Sequence, residues 1–137
     1  MRAIVTDLHE RLTAAGLHVL LPEERERPLA GRKPGQAGGL EAYLRQHPQG
    51  YVQLEEAQGI TDDGVTAVYW VPVAAIAPTA ADDDALAAQV RRVLCGSPRD
   101  PGPYLPRLPD SPRAIADGVY LCRPSYECLA VDGTLAV

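Results

Sequence analysis

One run of residues, Val65 to Ala77, constrains this chain more than any other. It reads Val-Thr-Ala-Val-Tyr-Trp-Val-Pro-Val-Ala-Ala-Ile-Ala and has the β-branched and aromatic texture of a strand. Successive strand side chains point to opposite faces. One parity gives Val65, Ala67, Tyr69, Val71, Val73 and Ala75, and the other gives Thr66, Val68, Trp70, Ala74 and Ile76. Both parities are apolar, whereas a sheet with one face in water alternates apolar with polar. Such a strand needs cover on both sides. A chain of 137 residues makes one domain and has few elements to supply that cover. A neighbouring subunit therefore enters as a candidate.

The segments around this strand read in order. Residues 1–15 have Ile4, Leu8 and Leu12 at helical spacing, with Gly16 placed for a left-handed cap. Leu17 to Leu21 reads as a short strand stopped by Pro22, and Tyr51 to Glu56 as a second strand. Between them, 22–39 reads as one long loop, because its prolines and glycines sustain neither helix nor ladder. Leu40 to Gln46 supports one or two helical turns. Gln58-Gly59 and Asp62-Asp63-Gly64 supply turn chemistry, the latter a hairpin signal before the long strand. Thr79 is the expected N-cap of a helix running to Gly96, with Asp82, Asp83 and Asp84 near the positive end of its dipole. A Pro-rich segment, 97–113, precedes closing strands at Val119–Cys122 and Tyr126–Val131. The sum is a single α+β domain in α-β-β-β-α-β order. Its expected form is a mainly antiparallel sheet of about four strands with two helices packed on one face. Tyr104, Leu105, Leu108 and Ile115 of the Pro-rich segment, or another copy of the chain, are the expected cover for the second face.

Charge and cysteine usage narrow the function. The net charge of −5 argues against a general nucleic-acid binder, which carries a basic patch. Cys95, Cys122 and Cys128 are odd in number and irregularly spaced, which suits a reducing compartment and small buried hydrophobes better than a disulfide framework. No apolar run approaches the ~20 residues of a membrane span.

No catalytic or metal-binding pattern stands out. The spacing of Cys122 and Cys128 is not that of a zinc ribbon, and no signature supports a Cys–His pair. Glu55 and Glu56 are adjacent on a strand and point apart. Gly31-Arg32-Lys33-Pro34-Gly35 lacks the Gly-Lys-Ser/Thr ending of a phosphate-binding loop. No catalytic, cofactor or metal residue is assigned. The residues assigned to partner contact are Arg25, Arg27, Arg32 and Lys33 in the long loop, and Tyr69 and Trp70 on the long strand.

The order of elements resembles the tail terminator, or tail-tube completion, proteins of long-tailed phages and phage-tail-like particles. The resemblance is carried by the helix Ile4-Val5-Thr6-Asp7-Leu8-His9-Glu10-Arg11-Leu12, a strand ending near Pro22 and the Tyr51–Leu54 strand. The long strand, the helix Asp84 to Leu94 and the Tyr126–Val131 strand complete it. The loop at 22–39 and the Pro-rich segment are less typical of that family. The resemblance implies a non-enzymatic virion protein that forms a homo-oligomeric ring, with a hexamer as the working expectation. Such a ring caps the tail tube, ends its growth, and joins it to the neck or head connector while DNA passes unbound through its lumen. The alternatives are a neck or head-closure protein and, in a different class, a stand-alone α+β enzyme or ligand-binding domain with a pocket at Tyr69 or Trp70.

Overall fold

The computed structural model of the chain describes residues 2–29, 39–131 and 134–135. Three α-helices are present there: α1 (Arg2–Ala14), α2 (Gly39–Gln46) and α3 (Ala80–Cys95). Short 3-10 turns occupy Pro22–Glu24 and Arg27–Leu29. The strands are β1 (Val19–Leu20), β2 (Tyr51–Leu54), β3 (Gln58–Asp62), β4 (Thr66–Ala77), β5 (Leu105–Leu108), β6 (Arg113–Ala116), β7 (Val119–Cys122), β8 (Ser125–Val131) and β9 (Thr134–Leu135).

The chain is α+β, but a sheet of about four strands with two helices on one face is not what it forms. Among the described residues nine strands join in one mixed sheet, in which β1 and β2 are parallel and the other pairs antiparallel. Two misreadings explain most of the difference. Gln58-Gly59, taken as turn chemistry, opens β3, whose polar residues hide a strand exposed along its whole length. The Pro-rich segment supplies β5 and β6, because each borders a single neighbouring strand and an edge tolerates a missing donor at Pro106.

The expected long strand spans the molecule as β4, and each of its halves has different neighbours. Val73–Ala77 lies between β2 and β7, while Thr66–Trp70 lies between β3 and β8. The change occurs at Pro72, opposite Ser125, where β7 gives way to β8 through Arg123-Pro124. Val73 donates its N–H to the Pro124 carbonyl at 3.0 Å, and Pro72 has no N–H to leave unpaired.

The helices cover the sheet unevenly. On one face, Val71, Val73 and Ala75 with Val52, Leu54 and Tyr126 pack against Ile4, Leu8 and Leu12 of α1 and Leu86, Val90 and Leu94 of α3. Tyr104 also joins this core, and its hydroxyl donates to Asp7 on α1 at 2.7 Å. The third helix, α2, lies on the opposite face. Its Leu44 closes a second core with Leu20, Tyr51, Ile76 and Val119. Gly50, between α2 and β2, has φ +88°, and a Cβ there would come within 2.5 Å of the Ile76 carbonyl. That close approach, with the positive φ, requires glycine at the junction.

The expected caps are present. Gly16 has φ 87° beyond α1, and the Thr79 hydroxyl accepts from the Asp82 N–H at 3.1 Å. Asp83 lies in the first turn of α3, near the positive end of its dipole as expected. It is fully buried, and neither side-chain oxygen has a hydrogen-bond partner. Burial first, then the charges of Asp84 and Asp110, pushes its carboxyl up to about 7.

Candidate assembly face

The face of β4 that α2 covers at Ile76 is open at the other end. Thr66, Val68 and Trp70 lie there beside Val131, Leu129 and Glu127 of β8, residue opposite residue. Leu105 and Leu108 of β5 continue the same face, opposite Glu127 and Ser125. Leu105 is 53% exposed and Leu129 44%. Apolar side chains gathered on one exposed face are a common feature of contact surfaces.

The expected cover did not form, for a reason visible in the register. Leu105 and Leu108 extend the sheet sideways in β5 instead of folding over it, and Ile115 is exposed on β6. Tyr104 alone is buried, and it sits on the helix side.

The open face has one polar cross-link. Trp70 Nε1–H donates to Glu127 Oε1 at 3.0 Å, and Arg107 donates to Glu127 Oε2 at 2.7 Å. Arg107, followed by the Trp70 N–H, holds the Glu127 carboxyl below the usual carboxylate range. The charges of the face thus cancel within the chain, so covering it strands neither one.

The six partner-contact residues read from the sequence go to different places. Trp70 lies on the open face. Tyr69 turns to the helix side and packs on the main core. It borders a shallow 170 Å³ depression beside β3, too open to enclose a ligand. Arg27 pairs with Glu24 at 2.8 Å, and Arg25 lies 3.9 Å from Glu55. Both are thus engaged within the chain. Arg32 and Lys33 lie outside the described residues. Within the described part of that segment, 22–29, Pro28 is buried. The sequence reading assigned Leu105 to covering the face instead of forming it, and it did not single out Glu127, Leu129 or Val131. The available signal was the alternation in β8, where Ser125, Glu127, Leu129 and Val131 share one parity.

Other polar clusters serve the fold. Arg123 forms a two-pronged pair with Glu55 across Pro72, joining the ends of β7 and β2. His18 and His47 stack with ring centroids 4.2 Å apart, and the Tyr43 hydroxyl hydrogen-bonds His18 Nε2. These rings hold α2 against β1. The two histidines border a 520 Å³ cleft that Asp82 and Gln89 also line. Burial, followed by His47 and Arg27, lowers the His18 pKa. Burial pushes the Cys122 and Cys128 thiols up to about 11, which keeps them protonated and unreactive at neutral pH. Among the described residues, no group of three or more His, Cys, Asp or Glu side chains is placed to hold a metal ion, and no helix is long and apolar enough to cross a membrane.

No protein-family model matches the chain, and no curated protein matches it at a significant level.

Proposed function

We propose that this chain is a non-enzymatic assembly subunit that associates with copies of itself, in the manner of a tail terminator of a phage or phage-like particle. The observation that carries the reading is the open apolar face around Val68, Trp70 and Leu129. A lone monomer leaves that face in water, and a ring subunit covers it at an interface. Its aromatic centre and internally paired charge suit a protein partner. The net charge of −5 suits a lumen through which DNA passes without being held. The ring, with a hexamer as working expectation, caps the tail-tube protein and presents its far side to the neck or head connector. This places the chain in the virion, at the tail near the neck, after assembly in the host cytoplasm.

The test is to grow tail tubes from purified tube protein with and without this chain, and to measure tube length and the density at tube ends by electron microscopy. Short, capped tubes are expected, and Leu129→Ser should lengthen them. Unchanged tube lengths with bare ends would overturn the terminator reading.

A further inference from the structure

The open half of the sheet lies one layer below the half that α2 covers. Leu105, Leu108, Leu129 and Val131, large apolar side chains exposed among the described residues, share this face. Those elsewhere stand singly: Ile60 in the β3 bulge, Val65 after the Gly64 turn and Ile115 in the β6 bulge. Within those residues, the surface that matches the open face in apolar extent is the open face of another copy. The face is four strands wide, from β3 through β4 and β8 to β5, and the seven residues of β8 set its length. Spacings of ~4.8 Å between strands and ~3.3 Å along them give roughly 400 Å² in projection. A standard interface buries about 800 Å² of accessible surface on each side. A contact on this face is therefore at the low end of that range and reversible.

Shape selects how two such faces meet. Three rows cross the face: Thr66 with Val131, Val68 with Leu129, and Trp70 with Glu127. A two-fold axis along the strands would set α2 against α2, since α2 lies on this same face beside Ile76. Two helices, each ~10 Å thick, would hold the sheets apart, whereas packed sheets stand only ~10 Å from one another. A two-fold axis across the strands, through the Val68–Leu129 row, avoids this by reversing one copy end for end. Ile76 lies eight positions beyond Val68, and Gly64 four before it. At ~3.3 Å per residue each α2 thus falls past the other copy's Gly64 turn. Thr66 of one copy then lies under Trp70 of the other, small against large. Pro72 comes toward the other copy's Asp62-Asp63-Gly64 turn. In the hollow around Pro72, Arg25 and Arg123 share Glu55, while Glu23 and Glu56 lie toward Arg2. Two arginines on one carboxylate thus approach two aspartates at each end of the face.

We propose that two free copies of this chain cover each other's open face in a two-fold pair, with Val68 and Leu129 at the axis and Trp70 of each over Thr66 of the other. This rests on the self-association reading above and adds a regulation of the same face. A two-fold pair is closed and recruits no third copy, so it is distinct from the ring. The face is shared, and a copy held in the pair is withheld from the ring until the pair parts. Weak pairing keeps that exchange open, so that a tube end can draw subunits from the pool.

The experiment measures the full chain, without tube protein, by sedimentation over a concentration series. A monomer–dimer equilibrium is expected, with nothing larger. Trp70 is the chain's single tryptophan, so its emission should shift to the red on dilution over the same range. Leu129→Ser enters the contact twice by symmetry and should weaken pairing about tenfold or more. Disulfide trapping uses a Cys95→Ser background, in which Cys122 and Cys128 are buried. Leu129→Cys should link to itself under mild oxidation, while Ile115→Cys, similarly exposed but off the face, should not. Monomer at every concentration, species beyond the dimer, or Ile115→Cys linking as fast as Leu129→Cys would each overturn the pair. Tube capping by the wild type without the pair removes this contact and leaves the terminator reading standing. A pair without capping supports the contact and removes the terminator reading.

Discussion

The two halves of β4 carry similar residues on the face away from α1 and α3, yet only one half is covered. At the C-terminal half, Ile76 is closed over by α2 and shares a core with Leu44, Tyr51 and Val119. At the N-terminal half, Val68 and Trp70 look out beside the exposed Leu129 and Val131. The difference does not lie in the strand. It lies in where the chain places α2, which the His18–His47 stack ties to the start of β1. Apolar character on both faces therefore has two meanings in one strand: a second core where a helix is available, and a contact surface where none is.

The largest effect that tests this contrast is expected at the covered half. Ile76→Ala should destabilise the fold by about 2–5 kcal/mol, because it opens a cavity that α2 cannot fill. Thermal or urea unfolding measures it, and a loss near zero would mean that α2 does not form a true core. The next largest effect should come from the buried Asp83 on α3, on the other face of the sheet. Its folded pKa is raised from 3.8 to about 7, so the native state binds the extra proton. The stability this gives is full below about pH 4 and is lost as pH rises to about 7. Asp83→Asn should flatten that slope and raise stability at pH 8 by about 2 kcal/mol. An unchanged pH profile would show the carboxylate to be solvated.

The stack that pins α2 responds in the opposite sense. His18 has a lowered pKa, caused first by burial and then by His47 and Arg27. Its contribution is present above the unfolded value near 6.5 and is lost as pH falls through the lower folded value. His47→Gln should weaken the acid sensitivity of α2, read by hydrogen exchange at Leu44. The smallest effect on monomer stability belongs to the open half. Leu129→Ser should change unfolding by no more than about 0.5 kcal/mol, while sedimentation at rising concentration shows weaker self-association. A large loss of stability would mean that this face is core after all.

Local structure was well written in the sequence. The α1 spacing of Ile4, Leu8 and Leu12, the Gly16 cap, the Thr79 cap and the hairpin at Asp62-Asp63-Gly64 are short-range features, and each has its physical cause within a few residues. The strands with little pattern of their own were not legible. In β3 and β5, polar residues and proline are tolerated because an edge makes fewer demands than an interior strand. Trp70 was legible as a contact candidate, but its partner Glu127 lies 57 residues away, and no local signal joins the two.

The sequence by itself determined that β4 is a strand apolar on both faces, and that some second layer had to meet it. That follows from side-chain alternation alone. Only the tertiary structure decided which half found its layer inside the chain. Short-range rules place α2 in the chain order but not on a face. Its position depends on contacts from Tyr43, Leu44 and His47 to His18 and Leu20, and from Gly50 to Ile76, which come together only when the sheet forms. The open half around Val68 and Trp70 is the part of the same strand that those contacts do not reach.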